Sequence, residues 1–401
     1  MKKTIINILS IIFSTSMLAQ MPTMPKKDKD NFSNNQILTM NDMVFNEAIK
    51  PIQKVPLDTN SILIYDYKGV LQSYNLKTDK VNWSTKATDP DRQMSGNKLT
   101  LKDGIIYVPF INGEIYALDN QTGKPFWKSR LGNNKEGIIV KNQTPIIEGN
   151  HLYIVTQNDN SNIYALNIKD GGIAWNYKVD YPYNHIPVLY FKNKVFTPSA
   201  PYFYSFEAKT GKALYQRGFK KAMYGKPVTD GENVFIANES DVLYALNPEN
   251  LDILWEFQLG KDQFNIKERI FTKEQQIYFG TKGSANCSVY SVNSKTGKTT
   301  WQTDFQEEDI EYITEFENTI WGYTEKGLLF QLDMKTGKRI LENQLKNLPV
   351  SNLEFVDVNS FYYYCEAGLI QFDIKSKAEN SVLLRNSIDD NAGDAFIKLI
   401  R

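Results

Sequence analysis

The chain has little of what metal sites, disulfide frameworks and nucleic-acid binders are built from. Its 401 residues contain two cysteines and two histidines. Two cysteines cannot form a disulfide framework. His151 and His185 stand apart, with no Cys or His at ligand spacing, so they do not make a zinc site. Neither sign of charge is in excess, with 46 Lys and Arg against 46 Asp and Glu. Without a strongly basic stretch there is no footprint for phosphate backbones, and no nucleic-acid role is expected. Helical periodicity is scarce in the body of the chain. No glycine-rich phosphate loop leads into a helix, and no nucleophile-elbow glycine pattern occurs.

What is plentiful is aromatic: Tyr 23, Phe 22 and Trp 6 make up 13% of the chain. Charged residues at 23% and hydrophobic ones at 41% exclude a disordered or multi-span membrane chain. At roughly 150 residues per domain, length alone suggests two or three domains.

Residues 1–19, MKKTIINILSIIFSTSMLA, carry a basic start at Lys2 and Lys3, an apolar core from Ile5 to Phe13, and a small residue at Ala19. That is the pattern of a signal peptide cleaved near Ala19, and the apolar run is too short for a spanning helix. A retained anchor is the alternative, and Ser14 to Ser16 offer a second cleavage point. No cysteine follows the apolar core, so a lipoprotein is not expected. Residues 20–42, with Pro22 and Pro25, read as a flexible lead-in. Residues 43–401 read as one domain of an exported protein, periplasmic or secreted, with no membrane span once the signal is removed.

That domain is one pattern repeated. LQSYNLKTDKVNW starts at Leu71, IYALDNQTGKPFW at Ile115, IYALNIKDGGIAW at Ile163 and FYSFEAKTGKALY at Phe203. LYALNPENLDILW starts at Leu243, VYSVNSKTGKTTW at Val289, LFQLDMKTGKRIL at Leu329 and the worn LIQFDIKSKAENS at Leu369. The starts lie 40 to 48 residues apart. In each copy the first four residues alternate as a strand. The fifth is Asn75, Asp119, Asn167, Glu207, Asn247, Asn293, Asp333 or Asp373, and Asx residues initiate turns. Four places later come Gly123, Gly171, Gly211, Gly297 and Gly337, as a turn with positive φ favours. Asp79, Leu251 and Lys377 take that place in the other copies, so those turns are expected to differ. The thirteenth position holds Trp83, Trp127, Trp175, Tyr215, Trp255, Trp301, Leu341 and Ser381.

A second strand precedes each motif, marked by Leu63, Tyr107, Tyr153, Phe196, Phe235, Tyr278, Trp321 and Phe361. With flanking strands, each unit has four; in the second they are expected near 97–102, 104–110, 114–119 and 125–131. Four antiparallel strands at this period predict an all-β chain, an eight-bladed β-propeller of four-stranded antiparallel blades, with seven blades as the alternative. Its repeated aromatics would fill the space between blades. Either 43–58 or the C-terminal AFIKLIR of 395–401 would close the ring.

Motifs such as IYALDNQTGKPFW and VYSVNSKTGKTTW resemble the repeat of the pyrroloquinoline-quinone (PQQ) quinoprotein propellers. They are equally similar to those of the BamB-type subunit of the outer-membrane β-barrel assembly machinery. The quinoprotein resemblance implies PQQ beside Ca²⁺, an Asp base and commonly two adjacent half-cystines. Cys287 and Cys365 lie in repeats six and eight and are expected as free thiols, the first in an elongated hairpin and the second in a strand. The acidic run Asp389 to Asp394 does not match a Ca²⁺ loop. The long insertions of the quinoprotein enzymes are missing too.

The reading is therefore a non-catalytic binding or scaffolding protein of the cell envelope, BamB-like in fold. It is a monomer that holds an envelope protein partner and has no catalytic, cofactor or metal residues assigned. A PQQ- and Ca²⁺-dependent quinoprotein dehydrogenase is one alternative, and a secreted glycan- or peptide-binding module another. The lipid-bearing Cys of the BamB-type subunits is missing. Candidate interaction residues are Tyr181, Tyr183, His185 and Tyr190, an aromatic connection that would present anchors unless it folds onto its own blade. The longer intervals around Asn133 to Glu136 and Ser284 to Cys287 are further candidates.

Overall fold

The computed structural model describes residues 54–88, 96–132, 137–157, 162–179, 185–260, 263–266, 270–283, 286–306, 308–384 and 394–401. The expected signal peptide and lead-in lie outside these residues. The described residues form strands and no helices. Eight four-stranded antiparallel sheets follow one another around a ring, so the count is eight and not seven. Blades 2 to 8 cover 100–130, 146–177, 189–218, 228–258, 270–306, 310–344 and 354–384. In blade 2 the strands are Thr100–Lys102, Ile105–Pro109, Glu114–Asp119 and Pro125–Arg130.

Burial follows strand position. The middle strands are covered on both faces: every residue of Ile105–Pro109 is buried, as are the first five of Glu114–Asp119. Such strands read as continuous apolar and aromatic runs. The fourth strand is half exposed, and Ile253–Gln258 alternates residue by residue. First strands of adjacent blades touch one another, in blades 3 and 4, 5 and 6, and 8 and 1. They therefore lie at the centre, and the fourth strands form the rim. The up-and-down order puts the first and third turns of every blade on one face. The second turns and the connections between blades lie on the other, called the connector face below.

The tryptophans join one blade to the next. Ahead of each in the outer strand is a bulge, as where Ser73 pairs with Trp83 but Tyr74 with Val81, leaving Asn82 without a partner in the ladder. The indole N–H donates to a backbone carbonyl of the following blade: Trp83 to Asn120 at 3.0 Å, Trp127 to Ile168 at 2.8 Å and Trp175 to Ala208 at 2.8 Å. Trp255 and Trp301 do the same to Ser294 and Met334. Each ring lies over that blade's glycine. A Cβ added at Gly123, Gly171, Gly211, Gly297 or Gly337 would stand 2.5 to 2.8 Å from the indole of Trp83, Trp127, Trp175, Trp255 or Trp301.

This geometry corrects the expectation that the turns lacking glycine would differ. Asp79, Leu251 and Lys377 have φ of 55°, 59° and 55°, against 65° at Gly123, and Leu251 N–H bonds Asn247 O as Gly123 N–H bonds Asp119 O. The turn is the same. What changes is the preceding blade, where Tyr215, Leu341 and Ser381 stand in place of tryptophan. Glycine is needed where an indole presses on it, and only there.

The C-terminus closes the ring. Phe396–Leu399 pairs antiparallel with Ser61–Tyr65, as the innermost strand of blade 1. Asn352 of the blade 7–8 connection and Glu354 of blade 8 hold that strand from the side: Asn352 exchanges hydrogen bonds with the backbone of Ile397, and Glu354 accepts from Leu399 N–H and Lys398 Nζ, each at 3.1 Å. Residues 54–58, the described end of the other candidate segment, lie along blade 2 instead. There Val55 N–H bonds Asp103 O, and Asn120 bonds Asp58 N–H and Pro56 O.

Candidate functional site: the connector face

The connector face carries loops that differ from blade to blade, set on a frame that does not. Its polar side chains mostly fasten those loops. Glu114 of blade 2, buried, accepts from Thr88 N–H, from the Thr88 hydroxyl and from Tyr116 Oη at 2.6 Å. Burial pushes its pKa up, but these hydrogen bonds outweigh it and hold the carboxyl below its ordinary value. Asn97 joins Val140 O and Gln143 N–H, tying two connections together. Glu308 accepts from the Thr324 hydroxyl, and Asp241 from Asn265 N–H. Carboxylates placed this way stabilise loops.

Blade 6 departs from its neighbours. Its second turn is lengthened, and Lys282–Gly283 pairs with Gln263–Phe264 of the incoming connection in a separate two-stranded sheet. Asp309 of the next connection accepts from Gly283 N–H at 3.0 Å and from the Cys287 thiol at 3.4 Å. Lys282 Nζ bridges Asp309, at 3.5 Å, and Glu311. The carboxylates of Asp309, Glu311 and Glu325 come within 4.8 Å of one another. Burial, then the Asp309 hydrogen bond and charge, push the Cys287 thiol up to about 12.

Among the described residues that trio is the one carboxylate group close enough to share a cation. It does not fit the Ca²⁺ and PQQ that the quinoprotein resemblance implies. Ca²⁺ takes six to eight oxygens, whereas here an ammonium already sits between two of the three carboxylates. Cys287 and Cys365 are both free and buried.

The residues singled out from sequence fall in several places. Tyr181 and Tyr183, like 133–136, 284–285 and 389–393, lie outside the described residues. His185 stacks on Tyr224 of the following connection, with centroids 5.9 Å apart. Tyr190 is in the first strand of blade 4, stacked on Tyr153 and bonded to Asn193. His151 opens a strand at the opposite face, where burial, then the Lys209 charge, lower its pKa. Sequence reasoning passed over Phe264, Lys282 and Glu311. The signal was present in the acidic run Glu307 to Glu311, which follows the repeat copy VYSVNSKTGKTTW.

Eight four-stranded blades, closed by the C-terminal strand and carrying their variable loops on one face, define an eight-bladed β-propeller of PQQ-like repeats. The chain belongs to the family described as outer membrane protein assembly factor BamB, whose profile matches residues 67–189 and 182–310, together more than half of it. It is 26% identical over 171 residues to BamB of Escherichia coli (strain K12), covering 42% of this chain and 41% of that protein. It is 23% identical over 298 residues to polyvinylalcohol dehydrogenase of Sphingopyxis sp., covering 60% of this chain and 43% of the other. The chain thus spans about two fifths of the length of these curated relatives. The crystal structure of BamB from Moraxella catarrhalis superposes with a TM-score of 0.60 at 16% identity, over 82% of this chain and 96% of that one; this speaks to fold alone.

Proposed function

We propose that the protein is an exported, non-catalytic scaffold of the cell envelope that holds a protein partner on its connector face. The observation that carries this reading is the use of the carboxylates there. Glu114, Asp241, Glu308 and Asp309 are spent on backbone amides, hydroxyls and a thiol that fix the loops. A rigid frame with shaped loops is suited to recognition. Family membership supports the same reading, and the pattern of residues 1–19 supports export. The protein acts as a monomer, without a cofactor, and has no nucleic-acid partner.

The test is in-cell photocrosslinking from a connector-face position such as Lys326, with Lys338 on the opposite face as control. Specific crosslinks to an envelope protein from Lys326 alone are expected. Capture of no specific partner from either position would overturn the scaffold. The dehydrogenase named among the relatives motivates one competing reading. Saturating PQQ with Ca²⁺ would then raise the melting temperature, since a ligand at a hundredfold its Kd stabilises by about 2.7 kcal/mol. No shift is expected.

A further inference from the structure

We draw no further inference here: the strongest candidate, the two-stranded sheet raised on blade 6 with Phe264 46% exposed, carries nothing, because the N–H groups of Gln263 and Asn265 are already bonded within the chain and nothing in the structure shows what covers it.

Discussion

The closure of the ring can be tested at one side chain, Ile397. It is fully buried in the cluster of Ile62, Ile64, Tyr362, Tyr364 and Leu399, where the C-terminal strand lies between blades 8 and 1. Deleting 394–401 is the obvious perturbation but a blunt one. Three buried aliphatics would be lost, Ile397, Leu399 and Ile400, at about 2–5 kcal/mol each. The deletion also removes the cost of ordering eight residues, about 1–2 kcal/mol apiece, so the two terms nearly offset. Ile397→Ala avoids this, because the segment must still be ordered and only packing is lost. The expected loss is about 2–5 kcal/mol. Unfolding entropy near 2.1 cal/mol/K per residue gives about 0.7 kcal/mol/K for a folded body of roughly 350 residues, hence a Tm lower by about 3–7 °C. Calorimetry should show that drop, with faster proteolysis in blades 1 and 8 before the rest. The control is Ile340→Ala on the outer strand of blade 7, where the side chain is 55% exposed and Tm should hold within about 1 °C. A melt unchanged by Ile397→Ala, or lowered equally by Ile340→Ala, would refute the clasp.

Other outcomes follow from the same contacts. Gly211→Leu drives a Cβ into the Trp175 ring and should cost several kcal/mol, whereas Leu251 already occupies the equivalent place behind Tyr215. In chemical denaturation Tyr215→Trp alone should therefore destabilise, and adding Leu251→Gly should recover much of the loss. Cys287 and Cys365 are buried, and the Cys287 thiol lies near 12, so a thiol reagent at pH 8 should label neither until the chain unfolds. Glu114 has a folded pKa below its unfolded one, so its contribution is complete above about pH 4.3 and lost as pH falls through the folded value. Glu114→Gln should accordingly flatten the acid side of the stability profile, and a profile unchanged by it would count against this role.

The propeller was legible because its instructions are local and repeated. Alternation, the Asx turn and a large residue at one phase each recur within a single unit, and the strands of blade 2 fall within three residues of their expected bounds. Two features were not legible for the same reason reversed. The clasp joins residues more than 300 positions apart, and nothing in the sequence of 395–401 distinguishes a strand for blade 1 from one for blade 8. The raised sheet depends on Gln263–Phe264 meeting Lys282–Gly283, four residues with no periodicity of their own. The glycine pattern lies between these cases. Read within one copy, Gly123 or Gly211 looks like a demand of turn conformation, but Leu251 and Lys377 meet that demand at φ of 59° and 55°. Read across copies, each glycine follows a tryptophan one repeat earlier, and each of the three replacements follows a copy without one. The restraint is steric and belongs to the seam between blades. Such a seam is specified by a pair of residues, one on each side, so the three seams lacking the pair must be closed by other means. Seam 4–5 uses Leu251, Phe219 against Tyr244 and the Lys194–Glu249 pair; seam 7–8 uses Phe316 stacked on Phe355 at 4.0 Å; seam 8–1 uses the C-terminal strand. The last is the one seam where chain connectivity gives no help, and it is there that the final residues of the chain are placed.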